Sequence, residues 1–300
     1  MRRTTVISAP GKVLIAGGYL VLDPTYSGVV VSTSSRFYTA LRDEPSLKSD
    51  TIRIRSPQFI DATWLYSALL EPSVLIEPLG EKCVVQYRII LDRIRSHQLI
   101  SSTKNKFVHL ALQHTISLAV EIKGVDAIRE SLSRALDITI VGDNDFYSQR
   151  ARVSIRILNM FSPFNSNIQL EALGLPRTIK SLSSIPPFCP TEVPLSEVHK
   201  TGLGSSAALI TSLTSALLVH LSVIPEASLS DDSGDGRRLA HNLAQFVHCV
   251  AQGKVGSGFD VSAAVFGSHL YTRFGPSVIE ELMNDNALVC FYLEGQASIN

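Results

Sequence analysis

The sequence predicts an α+β fold in two layers, a mixed β-sheet and a set of helices. Its first part carries short segments rich in β-branched residues, such as Thr4–Ser8 and the alternating Thr51–Arg55. Its last part carries apolar residues at helical spacing over Leu209–Leu221 and Arg238–Gln252. Strands followed by several helices are typical of a two-layer α+β domain.

The predicted strands begin near the N-terminus. Thr4–Ser8 is expected to end at the breaker Ala9-Pro10-Gly11, and Val13–Leu22 is expected to form a buried strand or strand pair. Alternation and β-branched residues predict the remaining strands at 29–34, 37–41, 51–55 and 136–141.

The helices are predicted from apolar residues three or four positions apart. This spacing predicts a helix over Lys82–His97 and another over Leu110–Ile122. Residues 148–193 are rich in proline and serine and predict a long irregular excursion over the surface. A polar loop is expected over residues 222–236, and Gly253 is placed to end the helix that follows it.

Composition excludes several classes of function. The 300 residues carry 27 basic and 27 acidic side chains, so no global field draws the chain to nucleic acid or to an anionic membrane. The apolar run after Arg2 and Arg3 is interrupted by glycines and lacks a cleavage site, so we reject a secretory signal. The cysteines form no CxxC pair, which favours a reducing cytoplasm; they are Cys83, Cys189, Cys249 and Cys290.

The most informative segment is the glycine-rich loop Lys200-Thr201-Gly202-Leu203-Gly204-Ser205-Ser206-Ala207, which leads directly into a predicted helix. Two glycines let the backbone approach a ligand closely, and a helix start offers free amides to an anion. Lys200 adds a positive charge. The alternative is an ordinary glycine turn followed by a serine cap.

Two other segments have the same character. Ser8-Ala9-Pro10-Gly11-Lys12-Val13 places a lysine after a turn and is followed by Ala16-Gly17-Gly18-Tyr19. Gly253-Lys254-Val255-Gly256-Ser257-Gly258-Phe259-Asp260 ends a tight glycine path on an acidic residue. Taken singly, these are a solvated lysine and an aspartate helix cap.

In this order, the three segments resemble the motifs of the GHMP kinases, the family of galactokinase, homoserine kinase and mevalonate kinase. The G-L-G-S-S-A core lies at Gly202–Ala207, and Val198 stands where the family usually has proline. The resemblance implies the GHMP kinase fold, whose N-terminal domain resembles the ribosomal-protein domain-2-like fold. We expect that domain over residues 1–275, and over 276–300 the start or remnant of a largely missing C-terminal domain.

Within the family, Lys200-Thr201 before the loop and Gly17-Gly18-Tyr19 resemble the fungal-type phosphomevalonate kinase branch. The resemblance implies transfer of the γ-phosphoryl group of ATP to 5-phosphomevalonate in the mevalonate pathway, with Mg2+. It implies that Lys12, Lys200 and Asp260 are catalytic and that 200–207 hold ATP. Ser205 would bind Mg2+. The candidates for substrate contact are Lys12, Tyr19, Lys254 and Ser257.

Nothing between Phe274 and Asn300 resembles the third glycine-rich motif that family members carry in the C-terminal domain. Two alternatives stay open, and the missing motif supports the second of them. One is another GHMP kinase that phosphorylates an alcohol, and the other is a truncated, non-catalytic nucleotide-binding domain.

Overall fold

The computed structural model describes residues 3–74, 85–93, 105–147, 186–191, 193–231 and 234–284. Within these ranges the chain folds into seven strands and six α-helices. The strands are β1 Thr4–Ala16, β2 Ser27–Asp43, β3 Thr51–Arg55, β4 Thr63–Val74, β5 Val85–Arg93, β6 Leu136–Gly142 and β7 His269–Thr272. The helices are α1 Lys106–Lys123, α2 Val125–Ser133, α3 Ser205–His220, α4 Asp235–Gln252, α5 Phe259–Phe266 and α6 Pro276–Asn284.

The strands form one mixed sheet in the order β1-β2-β6-β3-β4-β5. Strand β7 lies outside this order and pairs with residues 27–30 at the start of β2. Every pair is antiparallel except β3 and β6, which run parallel. Strand β2 alternates between a buried face and a more exposed one, as in Leu41 and Arg42. The predicted α+β class is confirmed.

Helix α3 lies at the centre of the core, because all of its residues except Ser206 and Leu209 are buried. It packs against β1 and β2 on one side and against α1, α4 and α5 on the other. Helices over most of α1, α3 and α4 were predicted, and Gly253 does end α4. The predicted polar loop before α4 contains a short 3-10 helix, Glu226–Leu229.

The prediction that Pro10-Gly11 ends the first strand is wrong. Strand β1 continues to Ala16, with a shift of register between Pro10 and Lys12. Gly11 is needed there because a Cβ atom would lie 2.7 Å from the carbonyl oxygen of Leu203 and 2.8 Å from Oγ1 of Thr33. The glycine therefore allows the glycine-rich loop to touch β1 rather than ending the strand.

The expected buried strand over Val13–Leu22 is also wrong. The extended segment stops at Ala16, and Gly18–Leu22 form a 3-10 helix. Of its large apolar side chains, Ile15 is 63% exposed and Tyr19 is 91% exposed, whereas Val21 is buried. Glycines at 17 and 18 turn the chain out of the sheet before it returns as β2.

The helix predicted over Lys82–His97 is a strand in the part that the structure describes. Residues 85–93 form β5, which pairs with the whole second half of β4. The segment is rich in valine, isoleucine and tyrosine, which favour strands once a partner strand is available. An apolar run this short fits both the helical period and the strand period, so the presence of a partner strand decides which structure forms.

Some predictions fall on residues outside the described ranges. Most of the irregular excursion, 148–185, and most of the predicted C-terminal remnant, 285–300, lie there. The stretch 186–191 contains no helix or strand. In the described part of the chain, no helix is both long and apolar enough to cross a membrane.

Candidate phosphate site at the start of helix α3

The glycine-rich loop is fixed to the turn that follows β6. Lys200 pairs with Tyr147 in an isolated β-bridge. The amide of Thr201 donates to the carbonyl of Phe146 at 3.2 Å, and its hydroxyl donates to the carbonyl of Asp145 at 2.5 Å. The loop thus reaches helix α3 along a defined path.

Helix α3 begins at Ser205, as predicted, and its first amides are free. Gly204 is the N-cap, with a φ of 79°, and no side chain caps the helix. Within the described ranges, the amides of Ser205, Ser206 and Ala207 have no protein acceptor, while Ala208 donates to the Gly204 carbonyl at 3.1 Å. Free amides and the positive end of the helix dipole make this an anion site.

Lys12 lies against this helix start. Its amide donates to the carbonyl of Leu203 at 2.8 Å, and its ammonium group donates to the carbonyl of Gly202 at 3.2 Å. The ammonium nitrogen lies 5.4 Å from the ring centroid of Phe259, which favours a cation there. Strand β1 therefore delivers a positive charge to the loop across the bulge at Gly11.

The third glycine-rich segment is held by the chain around β7. The hydroxyl of Tyr271 donates to the carbonyl of Ser257. The guanidinium of Arg273 donates to the carbonyl of Gly256 at 3.0 Å and to that of Leu22 at 2.6 Å. These bonds fix the loop immediately before α5 and tie it to the 3-10 helix after β1.

Asp260 is the second residue of α5 and its side chain is 20% exposed. Its Oδ1 accepts a hydrogen bond from the amide of Val261 at 3.0 Å, and its Oδ2 lies 3.8 Å from Nε2 of His248. The preceding residue, Phe259, faces Lys12. The structure thus gathers Lys12, the glycine-rich loop and the start of α5 around the start of α3.

His248 is a residue of this site that the sequence did not reveal. It lies on the buried face of α4, and its Nε2 is 3.1 Å from the hydroxyl oxygen of Ser206. Burial lowers the pKa of His248, although the charge of Asp260 acts in the opposite direction. Its position on an apolar helix face, just before the third segment, was the only local signal.

The other predicted residues lie at different depths. Lys200, Thr201 and Lys254 are exposed, Ser257 is partly buried, and Ser205 is buried at the first position of α3. Among the residues that the structure describes, no hydrogen bond or ion pair joins Tyr19 or Lys254 to the helix start. Among the described residues, no cluster of three or more histidine, cysteine, aspartate or glutamate side chains could hold a metal ion.

Comparison with known proteins shows which proteins this chain resembles. The family model for the GHMP kinases N terminal domain matches residues 167–268, which include the loop and Asp260. The phosphomevalonate kinase of Aspergillus fumigatus is 36% identical over 307 residues, covering 93% of this chain and 53% of that protein. The peroxisomal phosphomevalonate kinase of Arabidopsis thaliana is 37% identical, covering 91% of this chain and 51% of that protein. The chain therefore spans about half the length of these curated relatives.

Among solved structures, a Streptococcus pneumoniae phosphomevalonate kinase in complex with phosphomevalonate and AMPPNP is 17% identical, with a TM-score of 0.45. The match covers 94% of this chain and 54% of the Streptococcus pneumoniae chain. Residues 167–268 of this chain match the GHMP kinases N terminal domain, and the relatives that the chain matches along nearly its whole length are named phosphomevalonate kinases.

Proposed function

We propose that this chain carries the ATP-binding and phosphoryl-transfer site of a phosphomevalonate kinase, which converts 5-phosphomevalonate to 5-diphosphomevalonate in the mevalonate pathway. The observation that carries the proposal is the start of α3. Its uncapped amides adjoin the ammonium group of Lys12, so a polyanion meets both a helix dipole and a cation there. The relatives' names supply the substrate class.

The ATP phosphates would lie on the loop from Lys200 through Ala207. The backbone amides at the start of α3 would hold phosphate oxygens, and Lys200 would neutralise part of their charge. Oxygen donors suit Mg2+, and the hydroxyl of Ser205 at the first position of the helix is the donor that we assign to it. When bound with ATP, Mg2+ neutralises charge on the phosphates.

The acceptor needs charge compensation more than it needs a base. The second pKa of a phosphate monoester is near 6, so at neutral pH its oxygen is already largely ionised. Lys12 would neutralise the acceptor and the phosphoryl group during transfer, and Asp260 would orient Lys12 or the metal. Tyr19, Lys254 and Ser257 are the proposed substrate contacts, and the side chain of Tyr19 is 91% exposed.

A coupled assay tests this function directly. The whole chain is incubated with ATP and Mg2+ and with phosphomevalonate, mevalonate or no acceptor. The proposal predicts turnover with phosphomevalonate alone. Turnover with mevalonate would indicate a GHMP kinase with an alcohol acceptor. Stabilisation by ATP without any turnover would indicate a nucleotide-binding domain that is not catalytic alone.

The domain boundaries belong to the same proposal. We assign residues 1–275 to the nucleotide-binding domain, since β7 and α5 both support the site. We also propose a cytoplasmic location, supported by the unpaired, buried thiols of Cys189 and Cys249. One relative is named peroxisomal, so cell fractionation is the appropriate test.

A further inference from the structure

His248 stands between two parts of the candidate site. Its Nε2 lies 3.1 Å from Oγ of Ser206 in the first turn of α3 and 3.8 Å from Oδ2 of Asp260 in the first turn of α5. The same nitrogen lies 3.1 Å from the amide nitrogen of Gln252, one turn along α4. The imidazole side chain is only 3% exposed. One buried ring nitrogen is therefore shared by the phosphate loop, the acidic residue and its own helix.

The hydrogen-bond chemistry assigns a direction to these contacts. A side-chain amide nitrogen can only donate, so with the nitrogen of Gln252 facing the ring, Nε2 carries the lone pair. The hydroxyl of Ser206 then donates to the same nitrogen, which fixes the rotation of that hydroxyl. The burial that lowers the pKa of His248 favours this neutral ring.

The position of the ring also matters to Asp260. A carboxylate is attracted to the free amides of a helix start, because they carry the positive end of the dipole. Oδ2 of Asp260 and Oγ of Ser206 in α3 both approach Nε2 of His248, at 3.8 Å and 3.1 Å. The imidazole therefore adjoins both groups, and Oδ1 of Asp260 accepts a hydrogen bond from the amide of Val261 in its own helix.

We infer that His248 is a positioning residue, which fixes the Ser206 hydroxyl at the phosphate loop and keeps Asp260 away from the first amides of α3. The inference rests on the proposed kinase function, because it gives the ring a role only if that helix start binds phosphate. His248 itself is not assigned to contact the substrate. Its effect is to leave the first amides of α3 available to a triphosphate and to keep the Ser206 hydroxyl in a fixed orientation beside them.

Two substitutions at His248 carry the same polar group on side chains of different length, and so separate the effect of length from the effect of polarity. His248→Gln places an amide near the position of Nε2, whereas His248→Asn carries the same amide group but falls short of Ser206. The dissociation constant for AMPPNP with Mg2+ is measured by calorimetry on the whole chain, beside the melting temperature without nucleotide. We expect His248→Asn to weaken binding about 3- to 10-fold, the effect of one lost hydrogen bond, and His248→Gln to recover at least part of that loss.

The matched control is His241→Asn. His241 is also buried on α4, two turns before His248, but it contacts Asn242 and the ring of Phe266 rather than the loop. The inference predicts that this control loses stability but keeps its nucleotide affinity. It also predicts that in a Ser206→Ala background the affinities of the Gln and Asn variants become equal, which a general packing role would not cause.

The outcomes are distinguishable. If the unaltered chain binds no nucleotide, the proposed function fails and the inference fails with it. If the chain binds AMPPNP and the Gln and Asn variants bind it equally, only the inference is overturned. Should His248→Asn not fold, Ser206→Ala alone must weaken binding by a similar factor, and an unchanged affinity would overturn the role of His248.

Discussion

The side chain of Lys12 lies directly over Gly204. A Cβ atom at Gly204 would come within 3.0 Å of Cε of Lys12 and 3.2 Å of its Cγ. The lysine from the first strand and the N-cap of α3, nearly two hundred residues later, therefore share one small space. This contact explains why the loop requires glycine at a position where the cation must stay close to the helix start.

We predict that Gly204→Ala destroys nucleotide binding. The methyl group would push the Lys12 side chain away, and the φ of 79° is strained for alanine by about 1–2 kcal/mol. Gly124→Ala is the control, because Gly124 also has a positive φ but a Cβ there would meet nothing within 4 Å. Both variants should melt at lower temperature, and only Gly204→Ala should lose affinity for AMPPNP in calorimetry. Equal affinities would show that the contact is irrelevant to binding.

The two lysines can be tested separately from the fold. Lys12→Met and Lys200→Met keep the length of the side chain and remove the charge that the phosphates would meet. We expect each to lower kcat by about 100-fold or more, with little change in melting temperature. Lys123→Met, at the exposed end of α1, is the charge-matched control and should keep full turnover. Near-normal kcat in either site variant would remove that lysine from the mechanism.

Asp137 is predicted to be the main electrostatic support of the sheet. Its carboxylate is 1% exposed and lies within 2.8 Å of Arg42, Arg53 and Arg55. Asp137→Asn should lower the free energy of unfolding by roughly 3 kcal/mol, because three guanidinium groups lose their shared partner. Asp126→Asn, in an exposed pair with Arg129, should have no measurable effect in the same denaturant titration.

The pH dependence of that difference follows from the charges around Asp137. Burial alone would raise its pKa, but hydrogen bonds and charges from the arginines, led by Arg53, hold the pKa below its ordinary value. The stabilisation is therefore present above the unfolded pKa of about 4 and is lost as the pH falls through the lower, folded value. The difference between wild type and Asp137→Asn should shrink in acid. A difference that stays constant down to pH 3 would contradict this.

His241 should make the protein sensitive to mild acid. Burial lowers its pKa to about 4, against 6.5 for an exposed histidine. The unfolded chain then binds a proton more readily than the folded chain, so stability falls as the pH falls from 6.5 to 4, with a slope of up to about 1.4 kcal/mol per pH unit. His241→Asn should flatten the curve of unfolding free energy against pH in this window. Parallel curves for the two proteins would refute the assignment.

The local part of the site was predictable from sequence. Two glycines followed by serines at the start of an apolar helix predicted the loop and placed the first turn at Ser205 and Ser206. The spacing of apolar residues in α4 placed that helix within three residues at its start. These features depend on neighbouring residues along the chain, and sequence patterns report on such neighbours.

The tertiary part was not predictable. Gly11 does not end strand β1. It leaves room for the carbonyl of Leu203, which belongs to a distant segment. Similarly, β5 becomes a strand because β4 supplies its partner. His248 joins the site through Ser206, a contact between two helices that no spacing within either one indicates.

The amides at the start of α3 offer the most direct test of this account. Hydrogen exchange at Ser205, Ser206 and Ala207 is measured with and without AMPPNP and Mg2+. If these amides hold the triphosphate, they exchange freely in the chain alone and become strongly protected in the complex, while the amide of Gly124 is unaffected. Bound nucleotide with no added protection at these amides would contradict the site proposed here.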